Sequence, residues 1–343
     1  MIPPAVLPGI KTRAIQAAQP LSAQLELTYH CNWRCVFCYN PRHHDISRLS
    51  GAEWIGVLDE LRRLGTLYLI LTGGEPLTHP DFFDIVEAAR ARAFVVRIFT
   101  NGALIDAAVA RRMKELLVAE VELSLHGATA EVHEAATGKP GSFERMWAGI
   151  EALQAAGVPA LVKTPMTRLN EHQLDDIIAL AEGRNLRLLL DSVMSPRDDG
   201  NLAPLGYGAS SAGVRKLMTR LREKGELHGE ERSHGGVNCG LGTITIAVDP
   251  EGNVYPCLQW RKSSIGNVRK MKLGDVWQAS PDRREAADTA RKTNDRLVEL
   301  GGPLSRASFC PALAYDLTGD ATRPYESAAR NAEIADEVLQ GSE

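Results

Sequence analysis

The sequence predicts an α/β fold: a partial (β/α)6 barrel followed by a small C-terminal extension built from a β-hairpin and helices. Three observations carry this. Short apolar runs alternate with amphipathic helical stretches six times between residues 24 and 193, the pattern of parallel βα units. The segment 195–211, rich in Pro, Gly, Asp and Ser, then breaks the alternation. Beyond it, "TITIAVDPEGNVYPC" places two alternating strands around a Pro- and Gly-bearing turn.

Each element has its own signal. The run 24–29 reads as the first strand. Ser50 and Glu53 form a capping-box pattern, and the helix they open carries Trp54, Leu58 and Leu61 on one face, with Gly65 as its stop. The apolar run 67–72 is the second strand. Helices from about 81 and 106 frame the strand "FVVRIFT", and "EVELSL" follows. A helix from 142, the strand "ALVKTPM", a helix from about 171 and the strand "LRLLLDSV" complete the series. Beyond the break come a helix over 212–224, the hairpin, and a remainder read as short helices and loops up to Cys310. The charged, Ala-rich tail reads as helical. The domain boundaries expected are an N-terminal extension (1–22), the barrel (23–200), a linker with helix (201–232), an auxiliary domain (233–325) and the tail (326–343).

Composition narrows the function. The chain has 343 residues, 44% hydrophobic and 24% charged, with a formal net charge of −4, which suits a folded protein with sizeable cores. No basic block offers a nucleic-acid footprint. No segment approaches the roughly 20 apolar residues of a membrane span, and the start does not read as a secretory signal. The expected compartment is the cytoplasm. There thiols stay reduced, so the six cysteines read as ligands and not as disulfides.

The cysteines fall in two trios. Cys31, Cys35 and Cys38 share one loop after the first strand. Three thiolates there can hold three corners of a cubane iron–sulfur cluster and leave the fourth iron open. A zinc ion is the alternative, with His30, His43 or His44 as fourth ligand. Cys239, Cys257 and Cys310 are dispersed, with the hairpin between the first two.

The pattern C-x3-C-x2-C with Phe37 before the last Cys, after the first strand of a βα series, resembles the radical SAM superfamily. "GGEP" (Gly73, Gly74, Glu75, Pro76), following the second strand, resembles that family's motif for the methionine amino group of S-adenosylmethionine. Glycines permit close backbone approach, and a carboxylate accepts from an ammonium. The resemblance implies a [4Fe–4S] cluster on Cys31, Cys35 and Cys38. Its open iron chelates S-adenosylmethionine, whose reductive cleavage gives a 5′-deoxyadenosyl radical. It further implies cofactor contacts from Asn101, from Ser124 in "SLHG" and from Arg145. His126 stands there where the family has Asp. Asp191 closes strand six as a further candidate for adenosine or substrate.

The second trio, in C-x12-G-x4-C with "LGDVW" beyond it, resembles the SPASM/twitch extension that binds auxiliary iron–sulfur clusters. It has three cysteines where four are expected, leaving either a non-cysteine ligand or an open iron. The order of motifs looks most like the peptide-maturing branch, which implies crosslinking, oxidation or decarboxylation of a ribosomally made peptide. Dehydrogenation or epimerisation of a sugar or other small molecule is the second reading, and a non-catalytic zinc module the third. Partners implied are the peptide or small-molecule substrate and an electron donor such as flavodoxin or ferredoxin. The stretch from Met1 to about Ala23 is too short for the leader-binding domain that some peptide maturases carry, which weighs against the peptide reading. Such a domain can also be a separate protein, so the resemblance leaves room for a separate peptide-carrier protein as partner. No catalytic side chain is assigned.

Overall fold

The computed structural model describes residues 6–227, 229, 232–307 and 309–341. A first helix, α1 (Val6–Gln16), precedes the βα series. That series runs β1 (Ser22–Glu26), α2 (Gly51–Arg63), β2 (Tyr68–Thr72), α3 (Phe82–Ala91), β3 (Val95–Thr100), α4 (Ala107–Glu115) and β4 (Glu120–Ser124). It continues with α5 (Ala130–Thr137), α6 (Ser142–Ala156), β5 (Ala160–Pro165), α7 (Leu174–Glu182) and β6 (Arg187–Asp191). Neighbouring strands pair in parallel from β1 to β6. Ser50 accepts from the amide of Glu53 and both halves of the capping box are present, which satisfies two of the amides that open α2.

After α8 (Ser211–Glu223), the chain returns as β7 (Thr245–Val248), β8 (Asn253–Tyr255) and β9 (Gly266–Asn267). β7 pairs in parallel with β1, and β8 and β9 follow antiparallel. Among the described residues, the hairpin therefore extends the barrel's own sheet into one of nine strands, in the order β6-β5-β4-β3-β2-β1-β7-β8-β9. The remaining helices are α9 (Leu273–Ala279), α10 (Pro281–Leu300), α11 (Pro311–Thr318) and α12 (Glu326–Gln340).

Two expectations change. The stretch expected to hold only short helices contains α10, 20 residues long, opened by a Ser280 cap with Pro281 in the first turn. Its buried face mixes Ala286, Ala287, Ala290 and Leu297 with Arg283, Thr293 and Asn294, small and polar residues that give a weak apolar signal. α5 was also unforeseen; it is eight residues long and ends on Gly138 in the left-handed region. The main core lies between the sheet and α2, α3, α4 and α6, with Leu25, Leu71, Val96 and Ile98 at no exposure. Smaller apolar clusters lie under α8 and α12 and under α10 and α11. Among the described residues, no helix is long and apolar enough to cross a membrane.

Candidate active site

The C-terminal ends of β1, β2 and β3 converge on the loop of the first trio. Beyond β1 the chain stays extended, with the Leu27 amide donating to Thr72 O at 2.9 Å. The loop is then closed on itself. The Cys31 amide donates to His43 O at 3.0 Å, the Cys38 amide to Cys35 O at 3.1 Å, and Asn40 Nδ2 to Tyr29 O at 2.8 Å. Its middle is tied to the end of α5, where Thr137 O and Ala136 O accept from the amides of Arg34 and Val36. Trp33 is 1% exposed and meets the His133 ring edge-on at 5.6 Å. Phe37 meets His126 edge-on at 5.1 Å. The two imidazoles stack on each other. Burial pushes both to low pKa, about 3 for His126 and about 4 for His133, so this platform is neutral.

Gly73 and Gly74 have a reason that the sequence did not give. A Cβ on Gly73 would collide with Thr28 O, and one on Gly74 with the carbonyl oxygens of Tyr29 and His30. Gly73 also holds φ at +128°, open essentially to glycine alone. The strand-two turn thus lies directly against the chain entering the thiol loop, with amides of Gly74 and Glu75 donating to Thr28 O and His30 O. Pro76 is buried in the first turn of a 3-10 helix that Glu75 caps.

Glu75 has no solvent exposure. Its Oε1 accepts from Thr100 Oγ1 at 2.7 Å and from the Leu77 amide at 3.1 Å, and its Oε2 accepts from the Asn101 amide at 2.8 Å. The carboxylate expected to meet a ligand's ammonium therefore fastens the end of β2 to the end of β3. Burial raises its pKa to about 7 against these donors. Asn101 continues the chain of contacts: its Nδ2 donates to Asn32 Oδ1 at 2.6 Å and lies 4.0 Å from Cys31 Sγ. Glu75, Asn101, Asn32 and Cys31 form one connected set.

The other candidates sit elsewhere. Ser124 ends β4, half-buried, with no hydrogen bond from its hydroxyl among the described residues. Arg145 is exposed on α6 and donates to the carbonyls of Pro140 and Gly141 at that helix's start. It is not gathered to the loop. Asp191 is exposed at the end of β6 and accepts from the Val193 amide.

All six cysteines are free thiols. Burial pushes Cys31 up to about 12, Cys38 to about 11, and Cys35 well above the usual thiol range. Thiols so placed become thiolates only beside a cationic group, the condition that a metal centre meets. Among the described residues, no group of three or more His, Cys, Asp or Glu is drawn together closely enough for a single metal ion. The donors of a multi-iron cluster stand farther apart than those of one ion. His43, held neutral by burial at about 4, has a buried Nδ1 with no partner among the described residues, and His44 is engaged by Arg34.

The second trio shares one apolar cluster with Leu241, Trp260, Ala286, Ala290 and Tyr315. Asn238 Nδ2 donates to Phe309 O at 2.8 Å, joining the neighbour of Cys239 to the neighbour of Cys310. Cys310 opens α11. Burial raises all three thiols, Cys257 to about 12.

Between the trios lies a cavity of about 160 Å³, lined among others by Arg197, Asp198, Gln259, Arg261, Leu313 and Asp316. Its walls follow from both thiol regions: the Asp198 amide donates to Tyr39 O at 2.9 Å, while Arg261 follows Cys257 and Asp316 follows Cys310. In the sequence, the loop containing Asp198 stands out by composition only. Glu26, Tyr39 and Arg261, which meet beside this cavity, gave no signal because 235 residues separate Glu26 from Arg261.

A family model described as the Radical SAM superfamily matches residues 25–182, and one described as an iron–sulfur cluster-binding domain, SPASM, matches residues 239–300. The chain is 36% identical over 263 residues to mycofactocin maturase MftC of Mycobacterium ulcerans, an alignment covering 69% of this chain and 68% of that protein. The chain belongs to the radical SAM superfamily. A second relative, MftC of Mycolicibacterium smegmatis, is 34% identical over 294 residues, covering 78% of this chain and 72% of its own. The fold matches native anSMEcpe with bound AdoMet and Cp18Cys peptide at a TM-score of 0.74 and 18% identity, over 94% of this chain and 97% of that one. As a radical SAM protein with a SPASM domain, the chain is an iron–sulfur enzyme that binds a [4Fe–4S] cluster, S-adenosylmethionine and an auxiliary cluster. The two trios suit such groups by donor type and burial.

Proposed function

We propose that this enzyme modifies a ribosomally made peptide by crosslinking, oxidation or decarboxylation. The observation that carries the reading is the 36% identity to a maturase over 263 residues, an alignment covering 69% of this chain. Cys31, Cys35 and Cys38 would hold the first cluster, and Cys239, Cys257 and Cys310 the auxiliary one. When bound, the first cluster and S-adenosylmethionine supply a 5′-deoxyadenosyl radical that removes hydrogen from substrate.

The chain's own residues position and enclose these groups. Trp33 and Phe37, seated on His126 and His133, hold the thiol loop rigid. Gly73 and Gly74 bring the strand-two turn against it, and Glu75 fixes that turn to β3. Asn101 then reaches the first cysteine, while Pro76 sets the turn. Ser124, whose hydroxyl has no hydrogen bond among the described residues, and Arg145, by turning from its helix start, would take the carboxylate of S-adenosylmethionine. The cavity between the trios is the place for the reacting part of the peptide. Reduction requires an electron carrier of the flavodoxin or ferredoxin kind, and a separate peptide-carrier protein is a further partner of this reading.

The test is anaerobic incubation of the reconstituted enzyme with S-adenosylmethionine, a reductant and short peptides encoded beside its gene. A mass change in one peptide, matched by 5′-deoxyadenosine, supports the reading. Turnover of a sugar alcohol with no change in any peptide would replace it by small-molecule chemistry.

A further inference from the structure

Glu26, the last residue of β1, is 1% exposed and receives donors from both thiol regions. Tyr39 Oη, on the residue after Cys38, donates to its Oε1 at 2.9 Å. Arg261 donates to its Oε2. Arg261 is itself fixed close to Cys257, because the Trp260 amide closes a turn on Cys257 O at 3.0 Å. Its guanidinium lies over the Tyr255 ring at 4.5 Å, is 14% exposed, and stands 3.9 Å from Asp198. One cation thus serves two carboxylates at the seam between the trios. Such a buried pair adds little stability over a well-packed apolar replacement, so its position and field are the features to explain.

We propose that the Glu26–Arg261 pair positions the two thiol-bearing loops relative to one another, and that the Arg261 charge sets the reduction potential of the cluster on Cys239, Cys257 and Cys310. The proposal rests on the reading that this trio holds the auxiliary cluster. A cation beside a redox centre favours electron gain, since net charge and hydrogen bonding around a cluster set its potential. Both act here through the loops they hold and the field they set, and because Arg261 also lines the cavity assigned to the peptide, the measurement is made without substrate.

The test needs no substrate: full-length protein is reconstituted anaerobically, iron is counted, and the clusters are titrated potentiometrically by EPR. Arg261→Met should load both clusters and shift the auxiliary reduction equilibrium about tenfold or more toward the oxidised form, about 59 mV for one electron. Arg261→Lys, which keeps the charge, should restore most of that shift. Arg261→Met with both clusters at wild-type potentials overturns the proposal. If Arg261→Met does not retain its iron, Glu26→Gln decides. That variant removes the carboxylate charge that offsets Arg261 and should raise the auxiliary potential, and a wild-type value overturns the proposal. Cys257→Ala separates the two claims. Loss of the auxiliary signal upholds the ligand reading, whereas its persistence removes that reading and the proposal together.

Discussion

Replacing Glu75 by Ala distinguishes a ligand contact from a structural clamp. A side chain that only met the ammonium of S-adenosylmethionine would leave the stability of the cofactor-free protein untouched. In the structure, the Glu75 carboxylate satisfies Thr100 Oγ1 and the amides of Leu77 and Asn101, in a place without solvent. Each buried donor left unpaired costs about 1–3 kcal/mol. Leaving all three donors without their acceptor should therefore lower stability by about 3 kcal/mol or more, before any cavity cost. Glu75→Gln should also destabilise, because its amide NH2 would face a donor. The pH dependence gives a second readout. Burial raises the Glu75 pKa from 4.5 to about 7, so between those values the folded chain holds more protons than the unfolded one. Stability contributed by this group is then full below pH 4.5 and is lost as pH rises to about 7. Wild type should lose about 3 kcal/mol relative to Glu75→Gln across that window. The assay is urea unfolding followed by circular dichroism from pH 4.5 to 8. Wild-type stability in Glu75→Ala, with affinity for S-adenosylmethionine gone, would refute the clamp.

Further outcomes follow from the same geometry. Gly74→Ala drives a Cβ into two backbone carbonyls and should cost about 3 kcal/mol or more, read as a lowered urea midpoint; an unchanged midpoint contradicts the close approach. Arg145 is exposed, so Arg145→Ala should alter stability by no more than about 0.5 kcal/mol. Its affinity for S-adenosylmethionine should fall roughly tenfold or more on losing a charge-assisted contact, and equal affinity by calorimetry removes Arg145 from the site. Replacing Cys239, Cys257 and Cys310 together by Ala should take iron from about eight to about four per chain, assuming two four-iron cubanes. Equal iron in both proteins would sink the auxiliary assignment.

The barrel was legible because its signals are local and periodic. β1 to β6 each follow from a short apolar run, and the Ser50–Glu53 box marks the start of α2 within a residue. The thiol loop and GGEP announce themselves as dense motifs. What stayed hidden depends on contacts distant in sequence. Nothing near Glu75 says that Thr100 and Asn101 will occupy its oxygens, and nothing near Glu26 points to Arg261. The parallel pairing of β7 with β1, which merges the hairpin into the barrel sheet, is likewise a matter of topology that strand patterns leave open. α10 escaped because its buried face sets alanines beside Arg283, Thr293 and Asn294, which leaves only a weak apolar stripe in the sequence.

The central claim is that Cys31, Cys35 and Cys38 together hold the cluster at which S-adenosylmethionine is cleaved. Its most direct measurement is 5′-deoxyadenosine formation by anaerobically reconstituted protein supplied with S-adenosylmethionine and a strong reductant. Wild type should produce it, slowly without substrate, and Cys35→Ala should produce none while still folding. A wild-type rate in Cys35→Ala, or no 5′-deoxyadenosine from fully iron-loaded wild type, would contradict the account.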